Sequence, residues 1–327
     1  MHIPDNYLSP STCAVVAAAT VPVWTYSIRR IKSEIPKEKM TLLGVGAAFS
    51  FVAMMFNIPM PGGTTGHAVG GTLIALLLGP EAACIAVTIA LLIQALLFGD
   101  GGILAFGANC FNMAFILPYV GYYTYKLLVK LLHADRLNAP AGGKLIAAGI
   151  GSYLGINAAA FAAAIEFGIQ PALFHTAAGV PLYCPYGLSI SIPAMMLGHL
   201  TIFGAAEVIF TVALYAFISK TSPGMLRDSA PADATRKNSF PVFILLAVLI
   251  AATPLGLIAS GTAWGEWDIS EIPTMTESFS WASLFPDYSM NGLPDVVAYI
   301  LSAIIGVLLS IIFFRFISAK MKRTTKF

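Results

Sequence analysis

The sequence carries little charge. Only 10% of its 327 residues are Asp, Glu, Lys or Arg, whereas 57% are hydrophobic, and a typical soluble domain has about 25% charged residues. The mean hydropathy is +0.80. This composition excludes an ordinary soluble domain and predicts an integral membrane protein. A net charge of +2 gives no reason to expect nucleic acid as a partner.

Several enzyme motifs are missing as well. No HExxH occurs, which argues against a zinc protease, and no GxxxxGK[ST] occurs, so the chain does not hydrolyse ATP through a P-loop. Energy for uphill transport would have to come from another protein. The cysteines have no CxxC spacing, and we interpret them as small apolar residues. They are Cys13, Cys84, Cys110 and Cys184.

Long apolar stretches are abundant, and most approach the ~20 residues that cross a bilayer as a helix. Eight of them are 11–28, 41–57, 83–98, 103–125, 145–165, 191–218, 241–259 and 294–314. A ninth stretch, 67–79, is short and contains glycine, so its length alone also fits a re-entrant segment.

The basic residues predict the topology, because Lys and Arg accumulate on the cytoplasmic side. All 18 lie in the segments 29–39, 126–144, 220–237 and 315–326. One span precedes the first segment, which puts Met1 outside. An even number of spans must separate residues 39 and 126, so 67–79 is expected to cross as a full helix. The predicted fold is all-α and polytopic, with the N-terminus outside and the C-terminus in the cytosol.

A polar stretch divides the chain into two parts. We predict a seven-span body at 1–218, a cytosolic linker at 219–240 and a two-span tail at 241–327 with an external loop at 260–293. That loop holds three tryptophans, which we interpret as interfacial anchors, with a binding cage as the alternative. They are Trp264, Trp267 and Trp281.

Small residues recur within the spans, for example Gly151 and Gly155, Ala14 and Ala18, and the run 158–164. Small residues four apart let two helix backbones approach closely. Packing within the chain is the favoured explanation. The alternative is a smooth face that docks another membrane subunit.

The chain starts with Met1-His2, and this pair contains three nitrogen donors. The α-amine, the amide of His2 and its imidazole close a five-membered and a six-membered chelate ring around one ion and leave a fourth planar position. Ni(II) and Cu(II) prefer square-planar nitrogen ligation. Near its start the chain has Pro4, Asp5 and Asn6 where a cleaved signal has a basic and then an apolar region, so we expect Met1 to persist.

A second histidine is a candidate for the fourth ligand. His67 lies in PGGTTGHAVGG, just after the second apolar stretch, and the surrounding glycines allow tight turns and close backbone approach. A capping or packing role is the alternative, and we favour ligation. His175, in the segment 169–190, is a rival ligand, whereas His133 is expected to be solvated.

Few other polar residues lie in or beside the spans, and intramembrane polar groups face a protein interior or a partner. We take four of them as candidates for holding the metal ligands in place, with bonding between helices as the alternative of equal weight. These four are Asp5, Asn109, His199 and Glu207. Gln94, Asp100 and Asn112 cluster with Asn109 in QALLFGDGGILAFGANCFNM, and the same two roles are open for them.

Four ordered motifs resemble the CbiM/NikM family, the substrate-binding (S) membrane components of nickel and cobalt energy-coupling factor (ECF) transporters. They are MHIPDNYLSPSTC, FNIPMPGGTTGHAVGGTL, QALLFGDGGILAFGANCFNMAF and GHLTIFGAAEVIFT, within 1–218. The resemblance implies a seven-helix fold and a metal held by the Met1 amine, the His2 amide and imidazole, and the His67 imidazole. Asn6 departs from the family, which usually has Gly there. The tail resembles the small two-span CbiN/NikN-like companion subunit.

The resemblance also implies partners, namely a transmembrane coupling (T) subunit and two cytosolic ATPases, in the lipid bilayer of the cell inner (plasma) membrane. The leading hypothesis is capture of Ni(II) or Co(II) outside the cell for ATP-driven delivery, without enzymatic activity or an organic cofactor. The motifs favour nickel. Alternatives are a cobalt-specific component for cobalamin synthesis and a membrane metal sensor or buffer that does not transport.

Overall fold

A computed structural model of the chain describes residues 1–35, 40–61, 64–134, 142–227, 240–259, 261–266 and 279–320. These residues form helices and one short hairpin. The helices are α1 (Pro10–Glu34), α2 (Met40–Met54), α3 (Gly71–Leu78), α4 (Pro80–Phe98), α5 (106–131), α6 (Gly142–Leu173), α7 (Leu188–Thr221), α8 (Phe240–Ile258) and α9 (Asp295–Lys320). The predicted all-α polytopic class is confirmed.

Six of the described helices are long and apolar enough to cross a membrane, namely α1, α4, α6, α7, α8 and α9. Helix α2 is apolar but only 15 residues long. A described helix coincides with each of the nine predicted apolar stretches. The orientation of the two termini stays a prediction.

Helix α3 corrects the expectation that 67–79 crosses as a full helix. It has 8 residues, which rise only about 12 Å, less than half of the ~30 Å hydrocarbon core. The residues before α3 form a hairpin and a loop instead of a longer helix. Strands β1 (Ile58–Met60) and β2 (Thr64–Gly66) form an antiparallel hairpin, and the next residues run as a loop into α3.

Some predicted features lie outside the described residues. These are parts of the basic segments (36–39, 135–141 and 321–327), most of the linker (228–239) and part of the predicted external loop (260 and 267–278, with Trp267). The limits 1–218, 219–240 and 241–327 therefore remain predictions. All four cysteines are described, and they are free and buried.

The small residues of α6 pack within the chain. A Cβ on Gly151 would lie 2.6 Å from the carbonyl oxygen of Gly121, and one on Gly155 would lie 2.6 Å from that of Leu117. Both carbonyls belong to α5, so the two backbones touch along this seam. Ala14 and Ala18 on α1 are exposed instead, and docking of another subunit there remains a prediction.

The seam between α5 and α6 gives a stability prediction. Gly155→Ala is expected to lower the free energy of unfolding by about 1–3 kcal/mol, because the added methyl group forces the two backbones apart. Thermal unfolding in detergent measures the effect. Gly142→Ala is the matched control, since no atom of the described residues lies within 4 Å of a Cβ at that position. Equal melting temperatures for the two variants would show that the seam is not tight.

The tail packs against the body through α9. A Cβ on Gly44 of α2 would lie 3.0 Å from the Cα of Ile311, and Gly306 of α9 lies against the Phe51 ring. The Tyr299 hydroxyl also donates to the carbonyl of Met55 at 2.8 Å. These contacts hold α9 against α2, and two described residues between α8 and α9, Glu266 and Phe279, bond to Met1 and Asn6, respectively.

Candidate metal centre

The N-terminal segment runs into the protein interior. Met1, His2 and Ile3 are 3%, 2% and 0% exposed, respectively. The backbone of Ile3 is the anchor, because its N–H donates to Asn109 Oδ1 at 2.7 Å and its carbonyl accepts from Asn109 Nδ2 at 3.0 Å and from the Gly102 N–H at 2.8 Å. Asn109 thus holds the residue next to His2.

The turn after Ile3 is fixed by two polar side chains. The Asp5 carboxylate accepts from the N–H groups of Ile103 at 3.0 Å and Leu104 at 2.8 Å. Asn6 has φ 70°, the left-handed conformation that Asn tolerates better than other non-glycine residues. The departure from Gly at this position therefore preserves the turn. Asp5 and Asn109 both hold the N-terminal segment rather than an imidazole.

The loop after β2 brings His67 beside His2. The centroids of the two imidazole rings are 4.9 Å apart, with 33° between the planes. His67 is 5% exposed, and its Nδ1 lies 3.2 Å from the carbonyl oxygen of Ala68. Among the described residues, the Nε2 atoms of both histidines are buried without a hydrogen-bond partner. Buried polar atoms usually have a hydrogen-bond partner or a bound ion, so these two nitrogens mark the pair as a candidate site.

Glu207 of α7 fixes the loop that follows His67. Its carboxylate accepts from the N–H of Val69 at 2.8 Å and from the N–H of Gly70 at 3.1 Å. Gly70 has φ 72° and precedes the first residue of α3, where N–H groups lack helical partners. Glu207 therefore acts on His67 indirectly, by holding the backbone two and three residues further on.

This carboxylate gives a second stability prediction. Glu207→Ala is expected to lower the free energy of unfolding by about 1–3 kcal/mol for each buried N–H left without an acceptor. Glu207→Gln keeps one acceptor oxygen and should lose less. Thermal unfolding of the two purified variants measures the difference. An alanine variant as stable as the wild type would contradict this role.

His199, the remaining candidate, does not pair with the other two histidines. Its Nδ1 lies 2.8 Å from the carbonyl oxygen of Met195, one turn earlier in α7, and its ring packs edge-on against Phe203 at 5.3 Å. It lines a small cavity of about 20 Å³ beside Met1 and Thr64. His199 is therefore a neighbour of Met1.

Two carboxylates contact the predicted donors. Asp100 Oδ1 lies 2.9 Å from His2 Nδ1, and Glu266 Oε1 lies 2.6 Å from the Met1 amine. Asp100 stands in a polar cluster of the sequence, which is a weak local signal. Glu266 is 265 residues from its partner in the chain, and no local pattern could have paired it with Met1.

Burial and neighbouring charges set the protonation of the site. Burial lowers the pKa of His67 well below 6.5, and the N-terminal amine and His2 act in the same direction. The imidazole is thus neutral at neutral pH, the form that binds metals. Burial alone would raise the pKa of Asp100, but the charge of His2 and hydrogen bonds from His2 and Tyr288 outweigh it, and the net pKa is lowered.

Side chains alone do not form a metal site in the part of the chain that the structure describes, where no three His, Cys, Asp or Glu residues are grouped to hold an ion. Main-chain nitrogens of Met1 and His2 would be needed beside the two imidazoles. A chelate through both residues uses His2 Nδ1, and that atom faces Asp100 in the structure.

The two remaining histidines, His175 and His133, differ from the His2–His67 pair because both are exposed. His175 is exposed, and its Nδ1 lies 3.1 Å from the carbonyl oxygen of Pro171 in its own loop. His133 is exposed at the end of α5.

A cavity of about 570 Å³ lies above the His2–His67 pair. The N-terminal segment, the loop 99–103 and parts of the tail line it.

The fold and this site define a multi-pass membrane protein with a buried, nitrogen-rich centre under its N-terminus. The family model for the cobalt uptake substrate-specific transmembrane region matches residues 2–225, and a PDGLE domain matches residues 238–323. The chain therefore belongs to the CbiM family and carries a CbiN-like tail, as its motifs predicted.

Relatives over the full length are transport proteins. The chain is 50% identical to a probable fused nickel transport protein, LarMN, of Lactiplantibacillus plantarum, over 96% of this chain and 97% of that protein. It is 45% identical to the fused nickel transport protein NikMN of Rhodobacter capsulatus, over 94% of each. A crystal structure of a truncated transition metal transporter matches with a TM-score of 0.62 and 55% identity, over 67% of this chain and 99% of that one.

Proposed function

We propose that this protein captures Ni(II) at the extracytoplasmic face and passes it into the cell as the substrate-binding component of an ATP-driven ECF transporter. The observation that carries the proposal is the convergence of nitrogen donors at one buried place. Met1, His2 and His67 are each no more than 5% exposed, and the two imidazole rings lie 4.9 Å apart.

The proposed ligand set has four nitrogens. The Met1 amine and the His2 amide close a five-membered ring with the ion, the His2 amide and Nδ1 close a six-membered ring, and His67 Nε2 supplies the fourth donor. His67 Nε2 suits this role because it is buried without a partner among the described residues, while Nδ1 lies against the carbonyl of Ala68. A ligating imidazole is commonly oriented by its second nitrogen in this way.

His2 must turn its ring to join the chelate, because its Nδ1 lies beside Asp100. A half-turn about the Cβ–Cγ bond exchanges the positions of Nδ1 and Cδ2 and those of Nε2 and Cε1. Nδ1 is then free for the ion, and Nε2 comes to the side that Asp100 occupies. A carboxylate on the non-ligating nitrogen is a common arrangement at metal sites.

Nickel is the favoured cargo. Four nitrogens in a plane suit Ni(II), whereas Zn(II) favours a tetrahedron and Mg(II) favours oxygen ligands. The full-length relatives above are named nickel transport proteins. The family model is described by cobalt uptake, so a cobalt-specific component for cobalamin synthesis is the second candidate.

Transport against a gradient would need a T subunit and two cytosolic ATPases, because the chain has no P-loop. The test is uptake of labelled Ni(II) and Co(II) by cells that express the chain with or without these partners. We expect uptake only with the partners and with ATP, and a preference for nickel. Uptake that needs neither would contradict ATP-driven transport, and binding without any uptake would favour a metal sensor or buffer.

A further inference from the structure

The tail reaches the proposed metal centre through one tyrosine. Tyr288 lies in a short turn, Pro286–Tyr288, that precedes α9. Its hydroxyl donates to Oδ2 of Asp100, whose other oxygen lies 2.9 Å from His2 Nδ1. A residue of the CbiN-like region is thus two hydrogen bonds away from a proposed metal ligand.

The direction of these hydrogen bonds follows from the groups involved. Gln94 Nε2 lies 2.8 Å from the Tyr288 hydroxyl and 3.2 Å from Asp100 Oδ2, and an amide NH₂ can only donate. An ionised carboxylate can only accept. Among the described residues, the acceptor for the Tyr288 O–H is therefore Asp100, and the order runs from Gln94 through Tyr288 to Asp100.

Tyr288 is itself held firmly. Its ring stacks on Phe98 at 4.8 Å with 22° between the planes, and it meets Phe51 edge-on at 6.3 Å. Its carbonyl accepts from Ser302 Oγ of α9 at 3.1 Å. The hydroxyl is therefore fixed in position before it contacts Asp100.

Few other contacts restrain the orientation of the Asp100 carboxylate. It follows Gly99, which has φ 72° at the end of α4, and its side chain is 21% exposed. Both carboxylate oxygens are used, one by His2 and the other by Tyr288 and Gln94. The orientation of the carboxylate, and with it the imidazole nitrogen that it selects, depends on the donors at Oδ2.

We propose that Tyr288 is a positioning residue for the metal centre, which acts through Asp100 to orient the His2 imidazole. This inference deepens the proposed function and rests on it. In the Ni(II)-bound chain, Asp100 accepts a hydrogen bond from Nε2 of the turned ring and leaves Nδ1 to the ion. The tail then contributes to the geometry of the site as well as covering it.

The test compares full-length variants by their affinity for Ni(II), measured in competition with a chelator, and by the visible absorption of the bound ion. Removal of residues that orient metal ligands weakens binding by about 10- to 100-fold. Tyr288→Phe keeps the ring and loses only the hydroxyl, so we expect about 10-fold weaker binding and a shifted absorption band. Asp100→Asn, which leaves the tail unchanged, should shift the band in the same direction.

A double-mutant cycle separates positioning from simple docking of the tail. If Tyr288 acts through Asp100, Tyr288→Phe should cause no further loss in the Asp100→Asn background. Tyr299→Phe is the matched control, because it removes a buried hydrogen bond to the Met55 carbonyl in the same tail, keeps the ring that packs against Tyr288, and removes no hydrogen bond to Asp100. It should bind Ni(II) as the wild type does.

The outcomes separate the two proposals. A wild-type chain that does not bind Ni(II), or that binds it independently of His67, overturns the proposed function. A wild-type chain that binds Ni(II) through His67 while Tyr288→Phe leaves affinity and spectrum unchanged overturns this inference alone. Equal losses from Tyr288→Phe in the wild-type and Asp100→Asn backgrounds would also overturn it, because the effect would then bypass Asp100.

Discussion

A chain whose N-terminal amine is blocked by acetylation should no longer bind Ni(II) measurably. Hydrogen bonds from Asn109 and Gly102 hold Ile3 in place, so His2 keeps its position while the amine is lost as a donor. The amine and the His2 amide then no longer close a five-membered ring. Linked donors gain about 10²- to 10⁴-fold in avidity from being joined, and we expect a loss of at least about 100-fold.

The measurement is the metal content of the purified variant after incubation with Ni(II) and removal of excess ion. A short histidine-free tag on the N-terminus should have the same effect as acetylation, because it also removes the free amine from the site. The matched control is the same tag after Phe327. Undiminished nickel in the acetylated or N-terminally tagged protein would refute the N-terminal site.

His67→Ala is expected to have the second-largest effect. The substitution removes the proposed fourth nitrogen, and a ligand should matter at least as much as the residues that orient it, whose loss costs about 10- to 100-fold. We expect roughly 100-fold weaker binding. The fold should survive, because within the described part of the chain the side chain makes one hydrogen bond, to the adjacent Ala68 carbonyl, and Glu207 holds the loop independently.

The control for this variant is His175→Ala. His175 is exposed and bonded within its own loop, so its loss should leave the dissociation constant unchanged. Equilibrium binding of Ni(II) to both variants, with thermal unfolding as a check on folding, makes the comparison. Wild-type affinity in His67→Ala together with reduced affinity in His175→Ala would move the fourth ligand to His175.

The lengths of the apolar stretches were sufficient to predict most of the architecture. A helix of the described chain coincides with each predicted apolar stretch, because burial in a bilayer requires long apolar runs and helical hydrogen bonding. Helix α3 was the exception in length. The distribution of Lys and Arg predicts only how many times the chain crosses the membrane. It does not indicate how many residues of a short segment are helical, so the hairpin and the loop around His67 were not predicted.

The sequence also indicated which histidines come together, since Met1-His2 and the glycine-flanked His67 are chemically distinctive. It did not indicate how they are held. Glu207 contacts a loop 137 to 138 residues away, and Tyr288 contacts Asp100 across 188 residues. Contacts of this range arise from helix packing, and they leave no period or spacing in a single sequence.

Local irregularities of the helices were equally hidden. Gln94 and His199 each begin a π-helical segment, Gln94–Phe98 and His199–Phe203. Such segments are rare and occur frequently at functional sites. Helix propensity does not predict π-helical segments, because the same residues fit an ordinary α-helix.

The central claim is that one ion is held by four nitrogens in a plane. Optical absorption and magnetic susceptibility of the Ni(II)-loaded full-length protein test it most directly. Planar four-nitrogen ligation makes Ni(II) low-spin, so we expect a yellow, diamagnetic complex that is lost when the N-terminal amine is acetylated. A paramagnetic complex, typical of six-coordinate Ni(II), or an unchanged spectrum in the acetylated protein would contradict planar four-nitrogen binding.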